Sequence, residues 1–266
     1  MIDTQLVFVV GSGRCGTKMI KSLLAGTGIE ARHEYVRNAY QREAALYYMG
    51  KLSFREMTER LVDIYKPAAY YSQSPIFLDS SHKLSWCIDV LAKAFPKAKF
   101  IHLVRDGRKV TSSFFYKLNI FDDHGAKVLN DWMLGKEKEM PPRTENYWQV
   151  AYNEPDCFKR ICWHWKESNV NIMNMLINVR REQKLFIRLE DLAGDCDTMA
   201  RFLKFLDVEP PYDSFMEAMQ KPKHVYVPVD YKLTDEQQNH FAMICGDTMK
   251  ELGYDMESEY NVSYKM

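Results

Sequence analysis

Residues 5–18 read QLVFVVGSGRCGTK, and this stretch decides the fold. The β-branched run from Gln5 to Val10 predicts a short buried strand, and the apolar spacing from Thr17 to Ala25 predicts a helix. Between them lies a glycine-rich loop. A strand that passes through such a loop into a helix directs backbone N–H groups towards one point, where they can bind an anion. The stretch therefore predicts a phosphate-binding loop. Its candidate binding residues are Gly11, Ser12, Gly13, Arg14, Cys15, Gly16, Thr17 and Lys18.

The loop differs from that of ordinary nucleotide triphosphatases. In those proteins Lys and then Ser or Thr follow the second glycine of the GxxxxG pattern, whereas here Thr17 comes first and Lys18 second. Arg14 offers a cation inside the loop instead, which favours a donor without a γ-phosphate. Cys15 could act as a phosphatase nucleophile only with an arginine six residues later, and Lys21 stands there. We therefore interpret Cys15 as a small loop residue.

The rest of the chain alternates predicted strands and helices. Strands are predicted at 29–32, 76–78, 99–104 and 185–189, and helices at 41–49, 53–65, 83–95, 157–180 and 196–206. This order predicts an α/β fold, a three-layer parallel sheet flanked by helices. We expect a single domain over residues 1–266, with an irregular substrate loop at about 116–155.

Composition excludes several classes of partner. Lys plus Arg and Asp plus Glu both number 36, so no global charge favours nucleic acid or an anionic membrane. The apolar run Leu6 to Val10 is far shorter than the roughly 20 residues of a membrane span. Six scattered cysteines without paired spacing indicate a reducing cytoplasm.

A second basic site follows the strand at 99–104. Arg105 ends that strand and Ser113 comes eight residues later, about two turns into the next predicted helix. Both could address one phosphate above the start of that helix.

These motifs together resemble the PAPS-dependent sulfotransferases, which use 3′-phosphoadenosine 5′-phosphosulfate. The first loop is similar to their Arg-Ser-Gly-Thr-Thr motif, from which Cys15 and Lys18 depart. Residues 100–110, FIHLVRDGRKV, closely resemble the second motif of the family. The Leu-Glu-Asp-Leu run at 189–192 and Leu252-Gly253-Tyr254 resemble later elements. Only about 115–155 has no counterpart.

The resemblance implies a function and a set of site residues. PAPS is the expected co-substrate and PAP, the bisphosphate, the expected product. The sulfuryl group passes in line to a hydroxyl or amine of a small-molecule or glycan acceptor, and we expect no metal. Arg105 and Ser113 then hold the 3′-phosphate, while Arg14, with Lys18 as a second candidate, stabilises the leaving oxygen.

Glu34 is the predicted catalytic base, because it follows the second predicted strand at the carboxyl edge of the sheet. Its position twenty residues after Arg14 is similar to that of the catalytic glutamate in several branches of the family. His33 is the alternative, but it should point to the opposite side of an extended chain. Ser80 stands where relatives carry a lysine, which leaves Lys83 and His82 as weak substitutes for that cation. Asp79 mimics a metal-holding aspartate of nucleotide hydrolases, although we assign it no metal.

Two other groups have weaker predicted roles. Trp132, Tyr147 and Trp148 could stack on an acceptor ring, and a basic cluster could close over the 3′-phosphate, consisting of Lys221, Lys223 and His224. Two other functions stay open at this point: a P-loop kinase using Mg-ATP and a non-catalytic nucleotide-binding module.

Overall fold

The computed structural model describes residues 4–36, 40–118, 154, 156–209, 215–217 and 233–256. The chain divides into two compact units. The first comprises Met1–Arg105 and Asn171–His224, together with Met266, and the second comprises Asp106–Val170 and Val225–Lys265. The expectation of a single domain over 1–266 stays a prediction.

Five parallel strands form the sheet of the first unit. They are β1 (Gln5–Val10), β2 (Glu30–His33), β3 (Ile76–Ser80), β4 (Lys99–Val104) and β5 (Lys184–Arg188), in the order β2-β3-β1-β4-β5. In register, Val9 lies opposite Ser80 on one side and Ile101 on the other, and His33 also lies opposite Ser80. The carboxyl ends of β1, β2 and β3 therefore meet at one edge, which is where open parallel sheets bind ligands.

The helices of the first unit alternate with its strands. Their bounds are α1 (Thr17–Leu23), α2 (Gln41–Tyr48), α3 (Phe54–Tyr71), a 3₁₀ helix (His82–Trp86) and α4 (Ile88–Ala94). The chain returns to the first unit at Asn171. It then forms a 3₁₀ helix (Arg181–Gln183), α7 (Leu189–Gly194) and α8 (Cys196–Phe205). The capping box of Ser53 and Glu56 explains why α3 starts where it does, since each satisfies a backbone N–H of the other.

Apolar side chains bury both faces of this sheet. On one face, Val9 and Ile101 pack in a cluster with Ile20 of α1 and Phe202 of α8. On the other face, the ring of Phe8 lies 4.9 Å from that of Tyr65 on α3. Because both of their faces are covered, β1 and β4 read as continuous apolar runs rather than alternating ones. The predicted parallel α/β sheet flanked by helices is confirmed.

The second unit has its own helical core. Its elements are α5 (Gly107–Ser112), a π-helix (Ser113–Leu118) and α9 (Asp235–Glu251), and the boundary between the units at Val170 falls within α6 (Cys157–Leu176). The rings of Trp165 and Phe241 lie 5.9 Å apart. A Cβ at Gly107 would stand 2.7 Å from Phe241, so α5 packs too closely for any side chain there.

Several predictions fall outside the described residues. They are most of the substrate loop at about 116–155, including Trp132, Tyr147 and Trp148, and the basic cluster Lys221, Lys223 and His224. Within the described part of the chain, no helix has both the length and the apolar character that crossing a membrane requires.

Candidate functional site

The loop between β1 and α1 has an unusual backbone. Gly13 has a φ of 78° and Gly16 a φ of 101°, and Arg14 between them has a φ of 53°. Glycine adopts positive φ at little cost, but arginine rarely does. These positive φ angles curl the loop so that its N–H groups can face a common centre, in the manner of an anion-binding nest. The predicted phosphate loop thus has a backbone suited to an anion.

Gly11 fixes the loop against the neighbouring strand. A Cβ at this position would stand 2.4 Å from the carbonyl oxygen of Leu103 and 2.5 Å from Sγ of Cys15. Ser85 holds the same residue from the other side, since its Oγ accepts from the Gly11 N–H at 3.1 Å and donates to the Gly11 carbonyl at 2.9 Å. Sequence reasoning missed Ser85, because nothing in the sequence connects residue 85 with residue 11.

Cys15 lies fully buried beneath the loop. Burial raises the pKa of its thiol to about 11, despite hydrogen bonds from the backbone of Gly13 and Thr17 that lower it. A thiol with such a pKa carries almost no thiolate at neutral pH and is a poor nucleophile. The structure therefore agrees with the interpretation of Cys15 as a small packing residue.

Arg105 lies against this same loop. Its Nη1 donates to the backbone carbonyl of Arg14 over 3.2 Å. The side chain of Arg105, which the sequence assigns to the 3′ end of a bisphosphate, thus contacts the backbone of the loop assigned to the 5′ end, at the ends of β1 and β4. Arg14 is half-buried and Arg105 likewise, so both have access to solvent and to a ligand.

The other loop residues divide by exposure. Ser12 is buried and donates to the Gly13 carbonyl at 3.3 Å, and Thr17 is buried with its carbonyl accepting from Ser80 Oγ at 2.7 Å. Lys18 on α1 is exposed. Ser80, which stands where relatives carry a lysine, thus serves to bind β3 to the start of α1.

Beside the loop, the structure brings together three ionisable side chains. Glu34 follows β2 directly, and its Oε1 lies 3.2 Å from Nδ1 of His82 while its Oε2 accepts from Nζ of Lys83 at 3.1 Å. Lys83 is 4% exposed, which is exceptional for a lysine. In the sequence alone His82 and Lys83 are weak candidates, because they can equally be surface residues at the start of a helix.

Electrostatics make Glu34 a persistent anion. Burial alone would raise its pKa, but the hydrogen bond and charge of His82 and the charge of Lys83 lower it to about 2. The backbone of Glu34 has a φ of 52°, so the chain is no longer extended at this residue. Successive side chains alternate between opposite sides only in an extended strand, so His33 and Glu34 need not point to opposite sides here.

His33 is held by the sheet. Its Nδ1 lies 2.7 Å from the carbonyl oxygen of Ser80, which requires a proton on Nδ1. Burial is the main cause that lowers the pKa of this ring, and the charges of His82 and Lys18 lower it further. Lys18 and His82 are thus both close enough to His33 to act on it, which brings loop and cluster into one region.

Ser113 belongs to the second unit, where it is the first residue of the π-helix. Asp106 accepts from the N–H of Arg108 at 2.9 Å and forms a buried ion pair with its guanidinium at 2.7 Å. This pair caps α5, the helix that precedes Ser113. The joint role of Arg105 and Ser113 on one phosphate stays a prediction.

Asp79 takes part in a network of hydroxyl groups. It is fully buried on β3 and accepts from the Tyr65 hydroxyl at 2.6 Å and from the Tyr35 N–H at 3.1 Å. Among the residues described here, no group of three or more His, Cys, Asp or Glu side chains is placed to hold a metal.

Comparison with known proteins supplies independent findings. A model of the family described as "Sulfotransferase family" matches residues 27–213. A sulfotransferase from Alicyclobacillus acidocaldarius has a similar solved structure, with a TM-score of 0.52 at 13% identity over 94% of this chain and 96% of that chain.

Other solved structures are less similar. A sulfotransferase from Mycobacterium avium has a TM-score of 0.48 at 14% identity, over 97% of this chain and 79% of that one. The sulfotransferase domain from the curacin biosynthetic pathway has a TM-score of 0.48 at 15% identity, over 96% and 94%. No curated protein matched the chain.

Proposed function

This chain belongs to the sulfotransferase family, and we propose that it transfers a sulfuryl group from PAPS to a hydroxyl or amine of a small-molecule or glycan acceptor. The observation that carries the proposal is the meeting of Arg105 with the phosphate loop at the carbonyl of Arg14, 3.2 Å away. A doubly phosphorylated adenosine needs two cationic sites separated by less than its own length. Arg14 at the end of β1 and Arg105 at the end of β4 are the proposed pair.

The loop binds the 5′ end of the donor. The N–H groups of the loop donate to the phosphate oxygens, and Gly11 keeps them close to β4, since no side chain fits at that position. Arg14 is the cation nearest the bridging oxygen, where negative charge develops as the bond to sulfur breaks. Lys18, exposed one residue into α1, supplies a second positive charge. Arg105 is the proposed cation for the 3′-phosphate.

Removal of the acceptor proton is the task of the Glu34 cluster. Protonating a group at neutral pH costs about 1.4 kcal/mol for each unit by which its pKa lies below that pH. The Glu34 carboxyl, with a pKa of about 2, is therefore a weak proton acceptor by itself. Its Oε1 lies 3.2 Å from Nδ1 of His82. A carboxylate in this position holds the proton on Nδ1 and leaves Nε2 as the proton acceptor. Glu34 therefore acts together with His82.

In this reaction the acceptor oxygen or nitrogen forms its bond to sulfur as the bond from sulfur to the bridging oxygen breaks. The proton of the acceptor goes to the His82 imidazole, and PAP leaves with the negative charge that Arg14 stabilises. No metal takes part in the proposed route. We also propose a cytoplasmic location, which agrees with six cysteines that are all free thiols.

Calorimetry with PAP and turnover with PAPS test this function. We expect PAP to bind without magnesium, and Mg-ATP to bind at least about 100-fold more weakly, since the loop lacks the lysine that reaches a γ-phosphate. Preference for Mg-ATP would establish a kinase instead. PAP binding without any sulfated product, in a broad acceptor library with labelled donor, would indicate a binding module.

Two variants test the proton route. Glu34→Gln and His82→Gln should each lower kcat by about 10²- to 10⁴-fold and leave the affinity for PAP unchanged. Arg55→Gln is a matched control, because Arg55 forms an ion pair with Glu59 and both side chains are well exposed. Normal kcat in His82→Gln, combined with a loss in Glu34→Gln, would assign the proton to Glu34 directly.

A further inference from the structure

A buried carboxylate lies beneath the turn that carries Glu34. Asp79 is 0% exposed, and its two oxygens accept from the Tyr35 N–H at 3.1 Å and the Tyr65 hydroxyl at 2.6 Å. Burial raises the pKa of this carboxyl to about 6, although both hydrogen bonds lower it. Burying a carboxylate is unfavourable, and an apolar side chain would fit β3 better than Asp79 does. The fold therefore retains this group against its solvation preference.

The turn above Asp79 needs to be held. Glu34 has a φ of 52°, which is uncommon for a residue with a side chain. Two hydrogen bonds flank it: the Glu34 N–H donates to the Ser80 carbonyl at 3.3 Å, and the next N–H, that of Tyr35, donates to Asp79. The Asp79 bond is the shorter of the two. It fixes the chain just after the residue that departs from extended geometry.

The same network reaches the helix that carries His82. The hydroxyls of Tyr65 and Tyr40 lie 3.3 Å apart, and the Tyr40 hydroxyl donates to Ser81 Oγ at 3.2 Å. Ser81 is the N-cap of that 3₁₀ helix, with its Oγ accepting from the Lys83 N–H at 3.3 Å. One chain of buried hydroxyl groups thus connects the backbone of the Glu34 turn with the start of the helix that bears its partners.

We propose that Asp79 is a positioning residue: through the Tyr35 N–H it holds Glu34 in the left-handed conformation that directs its carboxylate to His82 and Lys83. The importance of this for turnover rests on the proposed function. Asp79 itself is too deeply buried to touch a substrate. Its contribution is the orientation of the Glu34–His82 pair.

Two variants at residue 79 separate the hydrogen bond from the charge. In Asp79→Asn the amide oxygen can face the Tyr35 N–H, which can only donate. The amide nitrogen then faces the Tyr65 hydroxyl, which can accept as well as donate, so the bond to Tyr35 is kept. In Asp79→Leu, which has the same branched shape but a larger volume, no acceptor remains. We expect Asp79→Leu to lower kcat by up to about tenfold without changing KM for PAPS, and Asp79→Asn to stay near the parent.

Amide hydrogen exchange gives a readout that does not depend on activity. The Tyr35 N–H should exchange faster in Asp79→Leu and at the parent rate in Asp79→Asn. Asp79→Ser is a second variant in case Asp79→Leu does not fold. The serine hydroxyl ends one bond short of the carboxylate oxygens of Asp79, and the smaller side chain cannot overfill the site. Unchanged Tyr35 exchange in the Leu and Ser variants, or equal loss of kcat in Asn and Leu, would overturn the proposal.

A double-mutant cycle separates this inference from the proposed function. If Asp79 acts through Glu34, then Asp79→Leu should cause no further loss of kcat in a Glu34→Gln background. A full additional loss would show that Asp79 acts elsewhere. If Glu34→Gln alone leaves kcat unchanged, the proposed proton route fails, and faster Tyr35 exchange would still establish that Asp79 holds the turn.

Discussion

Two turns at the same edge of the sheet place a charged residue in the left-handed conformation, Arg14 with a φ of 53° and Glu34 with a φ of 52°. Arg14 lies in a loop with two glycines of positive φ, so its local sequence already favours the bend. Glu34 has no glycine beside it, and distant residues hold it: Ser80 and Asp79 through the backbone, His82 and Lys83 through the side chain.

The difference teaches which kind of site a sequence can disclose. A site built from backbone N–H groups is encoded by a contiguous run, such as 11–18. A site built from ion pairs is assembled by the fold, and its members carry no local signature. We expect the two turns to respond differently to substitution, and the following predictions are ordered by the size of the expected effect.

Lys83→Met should have the largest effect on stability. It leaves the Glu34 carboxylate with His82 as its one partner in the ion-pair cluster, and breaking a buried pair costs about 3 kcal/mol. Lys18→Met is the matched control in the other turn, because Lys18 is exposed and surface changes stay within about 0.5 kcal/mol. Urea denaturation measures both. If Lys83→Met and Lys18→Met were equally stable, the buried Lys83 would contribute no more to stability than the exposed Lys18.

Gly11→Ala should destabilise the backbone-built turn. Its Cβ would approach the Leu103 carbonyl to 2.4 Å, and displacement of the loop should lower the unfolding free energy by about 2 kcal/mol and abolish PAP binding. Gly246→Ala is the control: it lies within α9 with no atom near its Cβ, so we expect a gain of about 0.5–1 kcal/mol. Normal PAP affinity in Gly11→Ala would show that the loop adapts.

Replacing each left-handed residue by glycine distinguishes the turns more finely. Arg14→Gly relieves about 1 kcal/mol of backbone strain, so stability should hold or rise while PAP affinity falls. Glu34→Gly relieves the same strain but removes two ion pairs, so stability should fall. Thermal unfolding and calorimetry measure the two quantities. A gain of stability in Glu34→Gly would mean that its ion pairs contribute little.

Much of the fold follows from the sequence for the same reason that the loop does. The strands Gln5–Val10 and Lys99–Val104 have the bounds that their apolar runs predict, since both faces of each are buried. The strand at Ile76–Ser80 was predicted to end at residue 78, because Asp79 and Ser80 look like turn residues. Both are buried and bonded to tyrosine and backbone groups, which the sequence does not reveal.

The helices show where local patterns mislead. The single helix predicted at 83–95 is a 3₁₀ helix to Trp86 followed by α4 from Ile88, because Cys87 has a φ of −145° and breaks the run. The helix Asp235–Glu251 was missed. Its buried face includes Cys245 and Thr248, which weaken the apolar pattern, although the capping box of Thr234 and Gln237 was a readable start signal.

The smallest expected effect is the pH dependence of stability, and it separates the two carboxyl groups of the Glu34 turn. The pKa of Glu34 is lowered to about 2, so its contribution is present above 4.5 and is lost as pH falls towards 2. The pKa of Asp79 is raised to about 6, so its contribution is present below 3.8 and is lost as pH rises through 6.

Difference curves against the parent protein measure each group. Between pH 5 and 4 the stability advantage of the parent over Glu34→Gln should shrink by less than about 1 kcal/mol, since Glu34 is partly solvated. As pH falls over the same interval, the stability of the parent relative to Asp79→Asn should rise. Arg14→Gln should leave the slope unaltered, because an arginine does not titrate here. If the stability differences of Glu34→Gln and Asp79→Asn from the parent changed with pH in the same direction, the pKa values of the two carboxyl groups would not be shifted in opposite directions.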